Sequence, residues 1–105
     1  MTKLRCLEIC LELWEWLAKT GRLKSDWPEW KKYGKMRSEC PCCEWVHQHG
    51  KKCYECPLKL YAWIYECMVP ESIYIKWVRA WLPKTRKKHA RKMVEAIKEA
   101  INDLT

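Results

Sequence analysis

Between residues 4 and 19 the apolar positions Leu4, Leu7, Leu11, Trp14 and Ala18 recur every three or four residues, the spacing that lines one face of an α-helix. Cys6, Cys10, Leu13, Trp16 and Leu17 widen that face to well over half the circumference. Only a narrow polar stripe of Arg5, Glu8, Glu12, Glu15 and Lys19 is left. A helix so nearly surrounded is the expected spine of the fold, and Gly21 supplies its C-terminal stop. Ser25 and Asp26 are capping residues ahead of Trp27, Pro28 and Glu29, which predicts a short helix running to Gly34.

A further short helix is expected from Glu44 to Gln48, stopped by Gly50. The run Leu58, Leu60, Tyr61, Trp63, Ile64 and Tyr65 is apolar enough for burial. Its period does not separate helix from strand, and it is read as helix. Behind Pro70, Glu71 and Ser72 the residues Ile73, Tyr74, Trp77, Val78, Trp81 and Leu82 have helical spacing up to Pro83. Ala90, Met93, Val94, Ile97, Ala100, Ile101 and Leu104 then stripe a long C-terminal helix over about 85–104, with Thr85 as its N-cap. The expected fold is mainly α: a small single domain over 1–105, with four to five helices packed around a four-cysteine zinc module at about 38–58.

That module carries the most specific chemical signal in the chain. Cys40-Pro41-Cys42-Cys43 is followed, after nine intervening residues, by Cys53-Tyr54-Glu55-Cys56. Two C-x-x-C pairs close a tetrahedral Zn²⁺ site, because each pair folds as a tight turn whose backbone N–H groups point at the thiolates. The expected ligands of one structural zinc are therefore Cys40, Cys43, Cys53 and Cys56. Cys42 should face elsewhere, and Lys51 and Lys52 would offset the charge of four thiolates. Cys67 and His47 are substitute ligands; His47 lies four residues after Cys43, so a helix there would put both on one face. His49 is two residues further on, points the other way, and should be solvated. Cys6 and Cys10 could form a second site with Cys42 and Cys67, although unpaired Cys more often packs as a small hydrophobe.

Composition shifts this picture in two ways. The aromatic residues are eight Trp and five Tyr with no Phe, so some rings are expected at the rim of the core or on a binding surface, where their polar atoms find partners. Glu8, Glu12 and Glu15 interrupt any secretory apolar core and there is no run of 18 apolar residues. A cytoplasmic protein outside the membrane is expected, where thiols stay reduced and available to metal. A secreted framework of disulfides is the alternative reading of eight cysteines.

The net charge of +8 changes it again. Lys76, Arg79, Lys84, Arg86, Lys87, Lys88, Arg91 and Lys92 carry eight positive charges with no Asp or Glu among them, so the rest of the chain is balanced. Charge concentrated in this way is an electrostatic footprint for phosphates or for an acidic protein. It could also be a solvated face, or one paired with the Glu8, Glu12 and Glu15 stripe. Arg86, Lys87 and Lys88 fall in the first turn after Thr85, where the helix dipole disfavours cations and an anion would reverse the sign. Trp30, Tyr33, Trp77 and Trp81 could stack on bases if exposed. No phosphate-cradling Gly-rich loop, no nucleophile with an evident base and no H-E-x-x-H occurs. A zinc closed by four cysteines leaves no open coordination position, so neither an enzyme nor a small-molecule substrate is expected.

Leu13-Trp14-Glu15-Trp16-Leu17, Lys24-Ser25-Asp26-Trp27-Pro28 and the two C-x-x-C pairs with Cys56-Pro57-Leu58 are followed by Cys67, by the segment Ser72-x-Tyr74-x-x-Trp77, and by Arg86, Lys87, Ala90 and Ile97 after Thr85. In this order the segments resemble a group of small uncharacterised bacteriophage proteins. The resemblance implies zinc and a phage-type accessory role in the host cytoplasm. The chain departs from the pattern by the additional thiols Cys6, Cys10 and Cys42. The expected function is non-enzymatic zinc binding, with nucleic acid as the partner of Lys84, Arg86, Lys87, Lys88, Arg91 and Lys92. The alternative is a protein-interaction module, such as a phage inhibitor of a host or defence enzyme, with an acidic protein as its partner.

Overall fold

The structure is a computed structural model that describes residues 1–52, 55–59, 61 and 71–105. Cys53, Cys67 and most of the apolar run from Leu58 to Tyr65 lie outside the described residues. The described chain is mainly helical: α1 (Lys3–Thr20), α2 (Trp30–Tyr33), α3 (Pro41–Gln48), α4 (Ile73–Arg79) and α5 (Pro83–Leu104), with 3₁₀ turns at Lys24–Asp26 and Arg37–Glu39. No helix among these residues is long and apolar enough to cross a membrane.

Helix α1 starts where Thr2 accepts a hydrogen bond from the Arg5 amide and ends where Gly21 turns left-handed at φ 70°. It buries Cys6, Leu7, Ile9, Cys10, Leu13, Trp14 and Leu17. The centre of its buried face therefore runs through the two cysteines and Leu13, while Leu4, Leu11 and Ala18 sit at the margin. Helix α5 lies along α1 in the largest helix–helix interface among the described residues and contributes Ala90, Met93, Val94, Ala96, Ile97 and Ala100. Fully burying each Leu, Ile, Val or Met of this seam stabilises the fold by about 1.5–3 kcal/mol. Helix α3 packs on α1 and helix α4 on α5, with Trp77 of α4 set edge-on to Trp14 of α1 at 4.9 Å.

The ends of the helices depart from the expected ones. Ser25 and Asp26 form a 3₁₀ turn rather than a cap, and α2 is a single turn closed by Gly34. Helix α3 begins at Pro41 instead of Glu44, because proline at the first helical position has its φ preset and lacks only an N–H that would be unbonded anyway. Ser72 caps α4 by accepting from the Ile75 amide, but the helix stops at Arg79, leaving Trp81 and Leu82 in an extended connection and exposed. Helix α5 begins at Pro83 for the same reason as α3, so Thr85 lies inside its first turn and does not cap it.

Arg86 fastens this corner. Its Nε donates to the Gly21 carbonyl at 2.7 Å, and its Nη1 donates to the carbonyls of Trp81 at 3.0 Å and Ala80 at 3.4 Å. Gly21 is required here twice over, by its positive φ and by space, since a Cβ would stand 3.0 Å from the Pro83 carbonyl oxygen.

Candidate metal centre and basic face

Because α3 starts at Pro41, the first C-x-x-C pair is a helix N-terminus rather than a free turn. Cys40 is the N-cap, and Cys42 and Cys43 lie in the first turn, which faces α1. Cys42 does not turn away. It is fully buried together with Cys6 and Cys10 of α1, and the thiols of Cys10, Cys40, Cys56 and Cys6 all act on it. Cys10 also contacts Cys40, and Cys43 contacts Cys40. The structure thus brings six cysteines from α1, α3 and the segment after α3 into one region.

The thiols in this region are not equivalent. Hydrogen bonds from Cys10, Cys42 and Cys43 hold the Cys40 thiol well below the ordinary thiol range. They outweigh the opposing effect of burial, and the Lys24 ammonium adds to them. The same contacts act in reverse on their donors: the bond to Cys40 together with burial pushes Cys10 well up, and the bonds to Cys10, Cys40, Cys56 and Cys6 with burial do the same to Cys42. Of these thiols Cys40 is the one whose deprotonation its neighbours favour. Among the described residues no three Cys, His, Asp or Glu side chains stand in an arrangement that holds a metal. Cys53 and Cys67 are outside them.

Sequence reasoning missed the cation beside these thiols. Lys24 is only 8% exposed, and its ammonium donates to the Ser38 carbonyl at 2.9 Å and to the Tyr74 hydroxyl at 2.7 Å. Burial works against its charge, yet Tyr74, Cys40 and Cys43 raise its pKa above the ordinary lysine value. Its two hydrogen-bond acceptors are neutral oxygens, and a buried ammonium is costly without negative charge nearby. The Cys40 side supplies that charge. Ser38 and Glu39 enter the centre with positive φ of 56° and 49°, an unfavourable backbone for non-glycine residues, and the Lys24 bond to the Ser38 carbonyl holds the first of them in place. Lys51 and Lys52, the cations expected in this role, are exposed.

His47 is exposed, with Nε2 3.3 Å from the Arg37 guanidinium. His49 stacks on Trp45 at 4.6 Å, and its Nδ1 is 2.9 Å from the Trp45 carbonyl oxygen.

On α4 and the N-terminal half of α5, Lys76, Arg79, Lys84, Lys88, Arg91 and Lys92 are exposed and Lys87 is half-buried. No ion pair among the described residues joins them to Glu8, Glu12 or Glu15; Glu8 pairs with Arg5 at 3.6 Å and Glu12 accepts from the Tyr33 hydroxyl. Arg91 borders a hollow with Glu15, Lys19 and Glu95. Arg86 is the exception in the basic set, since its guanidinium is committed to three backbone carbonyls. Of the aromatic residues considered for base stacking, Trp77 is buried, Trp30 and Tyr33 pack against Trp27, and Trp81 is 84% exposed. Trp81 stands at the edge of an open hollow lined by Lys76, Arg79, Ala80, Leu82, Thr85 and His89.

His89 reports on this charge. Burial and the neighbouring Lys92 and Lys88 of α5 and Lys76 of α4 lower its pKa, so the folded state disfavours the imidazolium. The stabilising contribution of the neutral ring is present above the unfolded-state pKa of about 6.5 and is lost as pH falls through the lower folded value. Denaturant titrations at pH 7.5 and pH 5 are expected to show His89→Gln losing less stability on acidification than the wild type. Parallel losses would show that His89 does not carry the effect.

Comparison with protein-family models, with curated proteins and with solved structures finds no match to this chain.

Proposed function

We propose that this chain is a non-enzymatic, zinc-stapled accessory protein of the phage type that binds nucleic acid through the face formed by α4 and α5. The observation that carries this reading is the run from Lys76 to Lys92, which contains no acid and is exposed along most of its cations without an ion pair to the acidic stripe of α1. A solvated face would need no such segregation, since the same net charge spread over the surface would serve solubility as well. The zinc would be held by Cys40, Cys43, Cys53 and Cys56 and would supply a structural crosslink between the α3 start and the segment after it. The thiol donor set and the buried Lys24 beside it suit a metal that takes deprotonated sulfur. A site closed by four thiolates activates no water, in keeping with a binding function in the host cytoplasm.

The position of Arg86 narrows the interface to Lys84, Lys87, Lys88, Arg91 and Lys92 on α5. If about five phosphates are contacted, affinity for duplex is expected to fall with salt at a log–log slope near −4.5. Charge reversal at Lys84, Lys88 and Lys92, all exposed, is expected to abolish binding while leaving the thermal melt unchanged. If the wild type binds neither duplex nor single strands at low ionic strength, the face belongs to an acidic protein partner and the inhibitor reading takes its place.

A further inference from the structure

We infer that the nucleic acid taken by this face is single-stranded, and that the indole of Trp81 is the platform on which one unpaired base stacks; this rests on the nucleic-acid reading above. The chain buries Trp14, Trp27, Trp45 and Trp77, so it has the means to cover large rings, yet Trp81 remains 84% exposed. The ring is not presented by a loose segment. Ala80 and Leu82 on either side are extended, and Arg86 bonds the carbonyls of Ala80 and Trp81 to the start of α5, fixing the backbone beneath the ring. A side chain exposed on a fastened connection is preorganised for contact, because little backbone entropy remains to be lost on binding.

Charge identifies the occupant. The hollow beside the ring has Lys76 and Arg79 on its α4 side and His89 on its α5 side, with no acid in its lining. Lys88 and Lys92 lie close enough to act on His89. Cations on both sides of an exposed aromatic face match a strand whose phosphates alternate with bases free to stack. A duplex fits less well. Its bases are already stacked on one another, and opening a step for an indole costs a few kcal/mol that unpaired bases do not cost. Leu82 in the same lining is also exposed, so an apolar contact to the sugar or base edge is available beside the ring.

The test is fluorescence anisotropy with a short labelled pyrimidine oligonucleotide, the same strand carrying abasic sites, and the corresponding duplex. Trp81→Ala is expected to weaken binding of the intact single strand roughly 5- to 150-fold, the range that base–aromatic stacking supports. It should leave the abasic strand nearly unaffected, and Trp81→Phe should recover most of the loss. Trp81 makes no buried contact that would endanger the fold, and an unchanged thermal melt verifies this in each variant. Equal binding of the intact strand by wild type and Trp81→Ala would overturn the stacking role, provided that charge reversal at Lys88 and Lys92 still removes binding. Equal losses on intact and abasic strands would overturn it as well. If Trp81→Ala reduced binding to anionic lipid vesicles and not to the strand, the ring would be a membrane contact instead. Absence of binding by the wild type to every nucleic acid at low salt is a separate result that removes the underlying reading.

Discussion

Cys40→Ser is expected to abolish cooperative unfolding. A structural zinc contributes on the order of 10–16 kcal/mol of apparent binding energy, whereas the whole stability of a small domain is about 5–15 kcal/mol. The loss falls on Cys40 because it is one of the four thiols expected to hold the zinc and, as the N-cap of α3, it joins the start of that helix to the site. Elemental analysis of protein purified without chelator is expected to give about one zinc per chain, and a guanidinium titration of Cys40→Ser followed by circular dichroism should show no sigmoidal transition. Cys6→Ala is the control. Cys6 is fully buried, donates its thiol to the Lys3 carbonyl at 3.0 Å, acts on Cys10 and Cys42 at the edge of the group and is not an expected ligand, so its loss is expected to cost about 1–3 kcal/mol. Identical behaviour of the two variants would erase the distinction between metal-holding and packing thiols. Intact disulfides in place of zinc would remove the metal altogether.

Lys24→Met is expected to produce the second-largest loss. It deletes two hydrogen bonds from a charged donor, to the Ser38 carbonyl and the Tyr74 hydroxyl, and such bonds are worth about 1.5–3 kcal/mol each. It also leaves the negative charge near Cys40 without its buried counter-charge. The destabilisation should therefore be larger in the zinc-loaded protein than after chelation, and competition with a zinc chelator should show weaker metal binding in the variant. A loss of the same size in both states would mean that Lys24 acts only through its hydrogen bonds.

The parts of the fold that depend on local spacing were legible in the chain. The three-and-four recurrence around α1 and the stripe of α5 both lead to buried faces, although Ile9 was not singled out and proved to be core. Helix starts were less legible, because a hydroxyl such as Thr85 and a proline such as Pro83 compete as start signals only two residues apart. The proline prevailed at both α3 and α5. The apolar rhythm of α4 carries on through Trp81 and Leu82, but the bonds that Arg86 makes to the Ala80 and Trp81 carbonyls hold those residues outside the helix. At the candidate metal centre the C-x-x-C spacing singles out Cys40, Cys43, Cys53 and Cys56 as expected ligands, and Cys53 lies outside the described residues. The inward turn of Cys42 follows from where α3 begins, which spacing alone does not reveal. Lys24 was not legible at all. One lysine among many reads as solvent-facing, and its burial depends on Tyr74, a residue fifty positions away.

The Lys24 to Tyr74 bond spans from the thiol region to the first turn of α4, the helix that also carries Lys76 and Arg79. Whatever alters charge at the thiols acts on one end of that bond, and whatever pulls on α4 acts on the other. Two binding events joined in this way obey reciprocity: if metal improves the affinity for a strand by some factor, the strand must improve the affinity for metal by the same factor. Zinc would then be a thermodynamic partner of the ligand as well as a staple. Saturating oligonucleotide is expected to raise the protein's equilibrium affinity for zinc, measured by chelator competition, and Tyr74→Phe, which removes the hydroxyl at the junction, is expected to uncouple the two.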